Sequence, residues 1–234
     1  MASYTWAHSI DIASTDAFAT YLNTPAFLAD PNVDRGNSDF DIRNSFTAGV
    51  TYSPPRPPSG RVVKAIFGGW SFDAFVLARS APPVDLVGAM VAAAGTVLYP
   101  RPNVVPGVPQ VLFGSQYPGG KIFNKAAFKS PPPGTQGNLG RNVLRGFGAF
   151  QGDFAVQRQF GITEKLRLNF RSEFFNVFNH PNFGPPTNSL TSPLFGYSTQ
   201  TLANSLAGSN NAGFNPLYQI GGPRSIQLAA KIQF

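Results

Sequence analysis

The sequence predicts an all-β chain: a segment of an antiparallel transmembrane β-barrel, with about six long strands and long extracellular loops. Three observations predict it. The first is the alternation from Lys165 to Phe174, where even positions read Leu166, Leu168, Phe170, Ser172 and Phe174. Odd positions read Lys165, Arg167, Asn169, Arg171 and Glu173. Successive strand residues point to opposite sides, so this stretch has one apolar and one charged face. At a helical pitch the same charges would scatter around the cylinder. The second is composition. Charged residues make up only 12%, where about a quarter is usual in soluble domains. Phe is abundant at 22 residues, yet no run approaches the ~20 apolar residues of a membrane helix. The third is the order of the connections: long, short, long, short, long. Outer-membrane barrels sort their loops this way, with short turns on the periplasmic side and long loops outside.

The elements follow in chain order. Tyr4 to His8 ends a strand, with Tyr4 and Trp6 on one side, and residues 10–39, rich in Asp, Asn and Thr, suit a solvated loop. Arg43 to Tyr52 sets Phe46, Ala48, Val50 and Tyr52 against Ser45, Thr47, Gly49 and Thr51. Ser53 to Gly60 is a connection, because its prolines lack the N–H donor a ladder needs. A third strand is expected from about Ala65 to Ser80. Its Trp70, Phe72, Ala74, Val76 and Ala78 share one face, and Ser71, Asp73 and Arg79 the other. Phe75 and Leu77 break the pattern. Residues 81–148 are long and irregular, rich in Pro and Gly. The central hairpin then sets Asp153, Ala155, Gln157 and Gln159 against Phe154, Val156 and Arg158, turns over Phe160 to Thr163, and returns through the alternating stretch. A second irregular segment covers 180–222. The last strand, Arg224 to Phe234, sets Ile226, Leu228, Ala230, Ile232 and Phe234 against Ser225, Gln227, Ala229, Lys231 and Gln233. If that strand runs inward, Tyr52, Trp70, Phe160 and Phe234 fall on outward positions at the periplasmic rim, as an aromatic girdle.

Other function classes find little support. The net charge of +7 is dispersed rather than gathered in a patch, which argues against nucleic acid as a partner. Cysteine is absent, so there is no disulfide frame or thiolate metal site. His180 stands without a second ligand at metal spacing. His8 and Ser9 are adjacent strand residues and point apart, which spoils a hydrolytic triad with Asp11. Gly114 to Lys121 has the wrong spacing for a phosphate loop. The expectation is therefore a protein that is not an enzyme and needs no cofactor or metal. Lys165, Arg167, Asn169, Arg171 and Glu173 are lumen-facing candidates, either for a transport path or for a ladder of cross-strand ion pairs. The ladder is the favoured reading, since such pairs contribute roughly 0.2–1 kcal/mol each and are common. For Arg141 and Arg145, flanked by glycines, the alternatives are an anionic ligand or a turn entering the next strand.

Three segments carry a family likeness: Arg141 to Gly148, Ile162 to Gly184, and Pro223 to Phe234. The most specific run within them is Phe-Phe-Asn-Val-Phe-Asn-His-Pro-Asn-Phe, from Phe174 to Phe183. Together they resemble the end of the TonB-dependent receptor barrels of the Oar-like type, whose full members carry a carboxypeptidase-regulatory-like domain ahead of a plug. Tyr4 to Asp11 and Gly68 to Trp70 look similar to earlier strands of those barrels. The resemblance implies that residues 1–234 are the C-terminal part of a barrel of about 22 strands. The plug, the TonB-engaging motif and the signal peptide would then lie in a missing N-terminal part, and this chain would not be competent alone. It further implies residence in the cell outer membrane, uptake of a large solute, contact with outer-membrane lipid, and TonB as partner only through the missing part. Phe234 would be the signal read by the barrel assembly machinery. The alternative is a soluble or surface β protein that binds glycans or partners through residues 81–148 and 180–222.

Overall fold

The computed structural model describes residues 1–14, 30–55, 58, 60–89, 91–93, 96–98, 100–163, 166–207 and 220–234. Six strands among them form one sheet in chain order: β1 (Ala2–Trp6), β2 (Asn44–Tyr52), β3 (Trp70–Arg79), β4 (Ala149–Gly161), β5 (Arg167–Phe175) and β6 (Ser225–Gln233). Each is antiparallel to its chain neighbours. The sheet is not closed, and β1 and β6 are its edges.

Register carries the alternation across the whole sheet. Tyr4 lies opposite Phe46, Phe46 opposite Ala78, and Ala78 opposite Phe150. Further along, Ala74 faces Phe154, Phe154 faces Phe174, and Phe174 faces Ile226. Directly opposed residues share a face, so even-numbered positions, Arg158 apart, form one apolar surface and odd-numbered positions a mainly polar one. Among the described residues no second layer covers most of the apolar surface: Val50 is 62% exposed and Leu228 65%, and Phe46, Phe154, Phe170, Ile226 and Ile232 are also exposed. Phe75 breaks the pattern for a local reason. It pairs directly with Gly49, and its ring occupies the hollow beside that glycine, 3.9 Å from where a Cβ would stand.

The connections sort by length. Residues 7–43, 80–148 and 176–224 all leave from one end of the sheet, where Trp6 pairs with Asn44, Arg79 with Ala149, and Phe175 with Ser225. Residues 53–69 and 162–166 turn at the opposite end, where Tyr52 pairs with Phe72 and Gly161 with Arg167.

Two expectations about connections need correction. Ala65 to Phe67 are not strand: Arg61–Phe67 form a helix, α1. Its sequence, Arg-Val-Val-Lys-Ala-Ile-Phe, lacks the two-residue period, which begins only at Trp70. Gly68 stops the helix, donating its N–H to the Lys64 carbonyl. Gly69 follows at φ 77, so close to the Gln159 carbonyl that a Cβ would stand 2.6 Å from it.

The second correction concerns the long segments, whose described residues pack into a cap. Short antiparallel pairs join Pro83–Val84 to Leu144–Arg145, Asn103–Val104 to Phe128–Lys129, and Val111–Phe113 to Lys121–Phe123. The hydrophobic core of the molecule sits here, built from Val84, Leu86, Phe123, Ala127, Phe128, Leu139, Leu144, Leu190 and Phe195. Phe195 is its hub, with ring centroids 5.9 Å from Phe128 and 6.5 Å from Phe123. The segment 10–39, expected as a solvated loop, is only partly that, since Asp34 and Ser38 are buried.

Candidate functional site

The polar face gathers its charges at the centre of the sheet. Asp73 on β3, Ala155 on β4 and Glu173 on β5 lie in one cross-strand row. Arg171 reaches diagonally over β4, with Nη1 2.8 Å from Asp73 and Nε 2.9 Å from Glu173. The same Nη1 donates to Gln157 Oε1 at 3.2 Å, and Thr51 Oγ1 donates to the other Asp73 oxygen at 2.8 Å. Four strands are thereby tied on one face. Asp153 stands nearby and accepts from Gln151 Nε2 at 2.9 Å and from the Asn176 N–H at 2.8 Å. Thr51, Asp73, Phe75, Asp153, Arg171 and Glu173 border a depression of about 270 Å³.

Of the five lumen-facing candidates, Lys165 lies outside the described residues. Arg171 and Glu173 belong to this network. Asn169 sits one step nearer the short turns and donates to Gln233 Oε1 at 3.0 Å. Arg167 opens β5, exposed, opposite Gly161 and Gln233. Tyr52, Trp70 and Phe160 stand on the apolar face at the end where the short connections turn. Phe234 is fully exposed, one residue beyond the last pair of β6.

Above the opposite end, the cap is held by arginine–carboxylate pairs. Arg101 is buried with Asp34 at 2.8 Å, and also donates to the carbonyls of Leu139 at 3.1 Å and Val33 at 2.6 Å. Arg141 binds Asp11, donates to Ser14 Oγ at 2.8 Å and lies 3.5 Å from Asp39. Asp41, fully buried, is shared by Arg145 and by Arg43 at 2.8 Å, and accepts the Ser9 N–H at 2.9 Å. Burial alone would push the Asp41 carboxyl up. Bonds from Arg145, Ser9 and Arg43 outweigh it and hold the group well below the usual carboxylate range. The Asp85 carboxyl accepts only a long bond from the Asn142 N–H, 3.4 Å, among the described residues: burial dominates, partly offset by Arg101, and the group is pushed up to about 6. Arg141 and Arg145 thus each hold an aspartate of the segment before β2, Asp11 and Asp41 respectively. They pin Asp11, Asp39 and Asp41 to the cap.

The Phe174 to Phe183 run does something sequence reasoning missed. Asn176, at φ 48, ends β5 and donates through Nδ2 to the carbonyls of His180 and Gly222, each at 2.9 Å. Val177 N–H bonds to the Gly152 carbonyl at 2.8 Å, and the Phe178 ring lies where a Gly152 side chain would be. Asn182 then completes the clasp: its Oδ1 accepts the Phe150 N–H at 2.8 Å, and its Nδ2 donates to the Phe150 carbonyl at 2.9 Å. A side-chain amide here takes the place of a strand neighbour. His180 sits edge-on to Phe150, 5.7 Å between centroids. The recurrence of Asn beside Phe was the signal available, since Asn tolerates left-handed backbone and bonds locally.

A sheet with a bare apolar face, a polar network on the other and a packed cap at one end is the architecture of a membrane barrel wall. The chain belongs to the outer membrane beta barrel domain family, which matches residues 1–227. No curated protein and no solved structure matches it. The protein is therefore an outer-membrane protein, and the soluble alternative has no place for its uncovered Phe, Leu and Ile rows.

Proposed function

We propose that this sheet is one wall of a larger, TonB-dependent barrel that imports a large solute, with the polar face lining the lumen and the cap over the outer mouth. The network centred on Arg171 carries the reading. Charges tied across four strands on one face, behind an apolar surface, suit a wall with water on one side and lipid on the other. The open edges add to it. Among the described residues no strand lies beyond β1 or β6, and a sheet edge left open in hydrocarbon is costly, so further strands are needed to close it. The likeness of Phe174 to Phe183 and of the closing strand to Oar-type receptors supports the TonB-dependent class over a passive pore. In that class TonB acts through a plug, and the wall guides the solute past it.

Cells offer a direct test. Cells producing the protein would be compared with cells lacking it for accumulation of a labelled pool of oligosaccharides and oligopeptides too large for general porins. Uptake that needs the protein and stops when a protonophore collapses the energy supply is the expected result. Uptake that needs the protein but survives the protonophore would describe a passive channel and end the TonB-dependent reading.

A further inference from the structure

The end of the sheet with the short connections carries a cation where a lipid-facing row should be apolar. Arg158 lies on the even-numbered face, directly opposite Trp70 and Phe170. Its guanidinium is held between two aromatic rings, 4.8 Å from the Trp70 centroid and 4.4 Å from that of Phe160. It donates one N–H to the Ala65 carbonyl of α1, and its Nε is buried with no partner. No carboxylate pairs with Arg158 among the described residues. Lys64 stands beside it on α1, exposed, and the two line one notch of about 380 Å³ with Gly68, Gly69 and Phe160.

An apolar groove lies on the other side of Trp70. Pro54, Pro55, Ile66, Phe67, Trp70 and Phe72 line about 530 Å³ of it. Trp70 Nε1 donates to the Ile66 carbonyl at 2.9 Å, fixing the indole to α1, where its ring lines the groove and also meets the Arg158 guanidinium. Trp70 and Phe72 belong to the apolar face of the sheet, so the groove continues the surface that meets lipid. Trp and Tyr at such a rim mark the headgroup level of the bilayer. A cation at that depth, set beside an apolar groove, has the two-part chemistry of a phospholipid.

We propose that this notch and groove bind one anionic glycerophospholipid of the leaflet at the short-turn end, the periplasmic side in outer-membrane barrels. Its phosphate sits on Arg158 and Lys64, and one acyl chain lies along Pro54, Ile66, Phe67 and Phe72. Charge complementarity and continuity with the lipid-facing surface select this occupant over a peptide.

The test uses the protein extracted from outer membranes in neutral detergent, with native mass spectrometry to count bound lipid. Titrated dioleoylphosphatidylglycerol should give a saturable one-to-one adduct, and uncharged dioleoylglycerol none. Lys64→Gln should weaken the adduct about fivefold, the worth of one cation near an anionic lipid. Arg158→Gln should remove saturation, while Lys231→Gln, on the polar face, should leave it intact. Because Arg158 also holds α1, the Lys64 variant, whose side chain bonds to nothing among the described residues, keeps the test independent of folding. Equal binding of the charged and uncharged lipids would overturn the proposal, as would wild-type affinity in both variants. Displacement of the adduct by millimolar inorganic phosphate would assign the cations to a free anion and overturn it too.

Discussion

The sheet and the cap solve the same problem in opposite ways. In the cap, Leu86, Phe128 and Phe195 are shut away from solvent and arginines are spent on buried carboxylates. In the sheet, Phe154, Phe170 and Leu228 are left open and the charges, Arg158 apart, lie on the other face. The difference teaches that the two parts are built for different solvents. The cap carries its own oil phase, as a water-soluble domain must. The sheet borrows one from the bilayer.

Breaking the cap's buried pair should have the largest effect. Arg101→Ala removes the buried cation beside Asp34 and should cost the cap about 3–5 kcal/mol. Hydrogen exchange should show lost protection at Val33, Leu139 and Gly137, while amides of β4 and β5 keep theirs. Loss spreading equally through the sheet would mean that the two regions are one cooperative unit. Next comes a test of the sheet's solvent. Leu228→Arg should destabilise the protein in lipid by roughly 2–4 kcal/mol if that position lies near the bilayer midplane. Gln227→Arg, one residue away on the polar face and opposite Glu173, should stay within about 0.5 kcal/mol. Similar values for the two would erase the distinction between the faces.

Protonation sharpens the comparison from the cap's side. Asp85 titrates near 6 in the folded cap, against ~4 for an unfolded chain. The folded state thus holds a proton the unfolded chain has released, so cap stability falls as pH rises from ~4 to ~6 and is level above that. Asp41 acts in the other sense, its contribution present at neutral pH and lost as pH drops below the ordinary carboxylate range. Asp85→Asn should abolish the first slope and stabilise the cap at pH 7 by on the order of 1–2 kcal/mol, read as slower exchange at Asn142. A slope that survives the substitution would assign it to another group. The smallest effect is expected for Arg171→Ala, about 0.2–1 kcal/mol for each half-exposed pair lost, measured by unfolding in lipid. A cost of several kcal/mol would show that this part of the polar face is drier than a lumen wall should be.

The sheet was legible in the sequence because its rule is local. Two residues suffice to place Leu168 against Asn169, and register then copies that parity to Ile232 and Lys231. The loop lengths gave the sidedness. Phe75 stayed obscure because its reason, Gly49, lies on another strand. The cap was illegible for the same kind of reason at greater range. Arg101 finds Asp34 across 67 positions, and Arg141 finds Asp11 across 130, and no period in the chain announces such partners. The helix Arg61–Phe67 was missed because seven residues are too few to separate a helical period from the start of an adjoining strand.

The clasp and the cap together bear on how the protein stays where it is. The cap stands at one end of the sheet only, with a core around Phe195 and with Asp11, Asp34 and Asp41 pinned by their arginines. Drawing that end back through a bilayer would carry those charges into hydrocarbon, or require the core to open and three carboxylates to lose those partners first. The cap therefore works on the wall as a rivet head does on a plate.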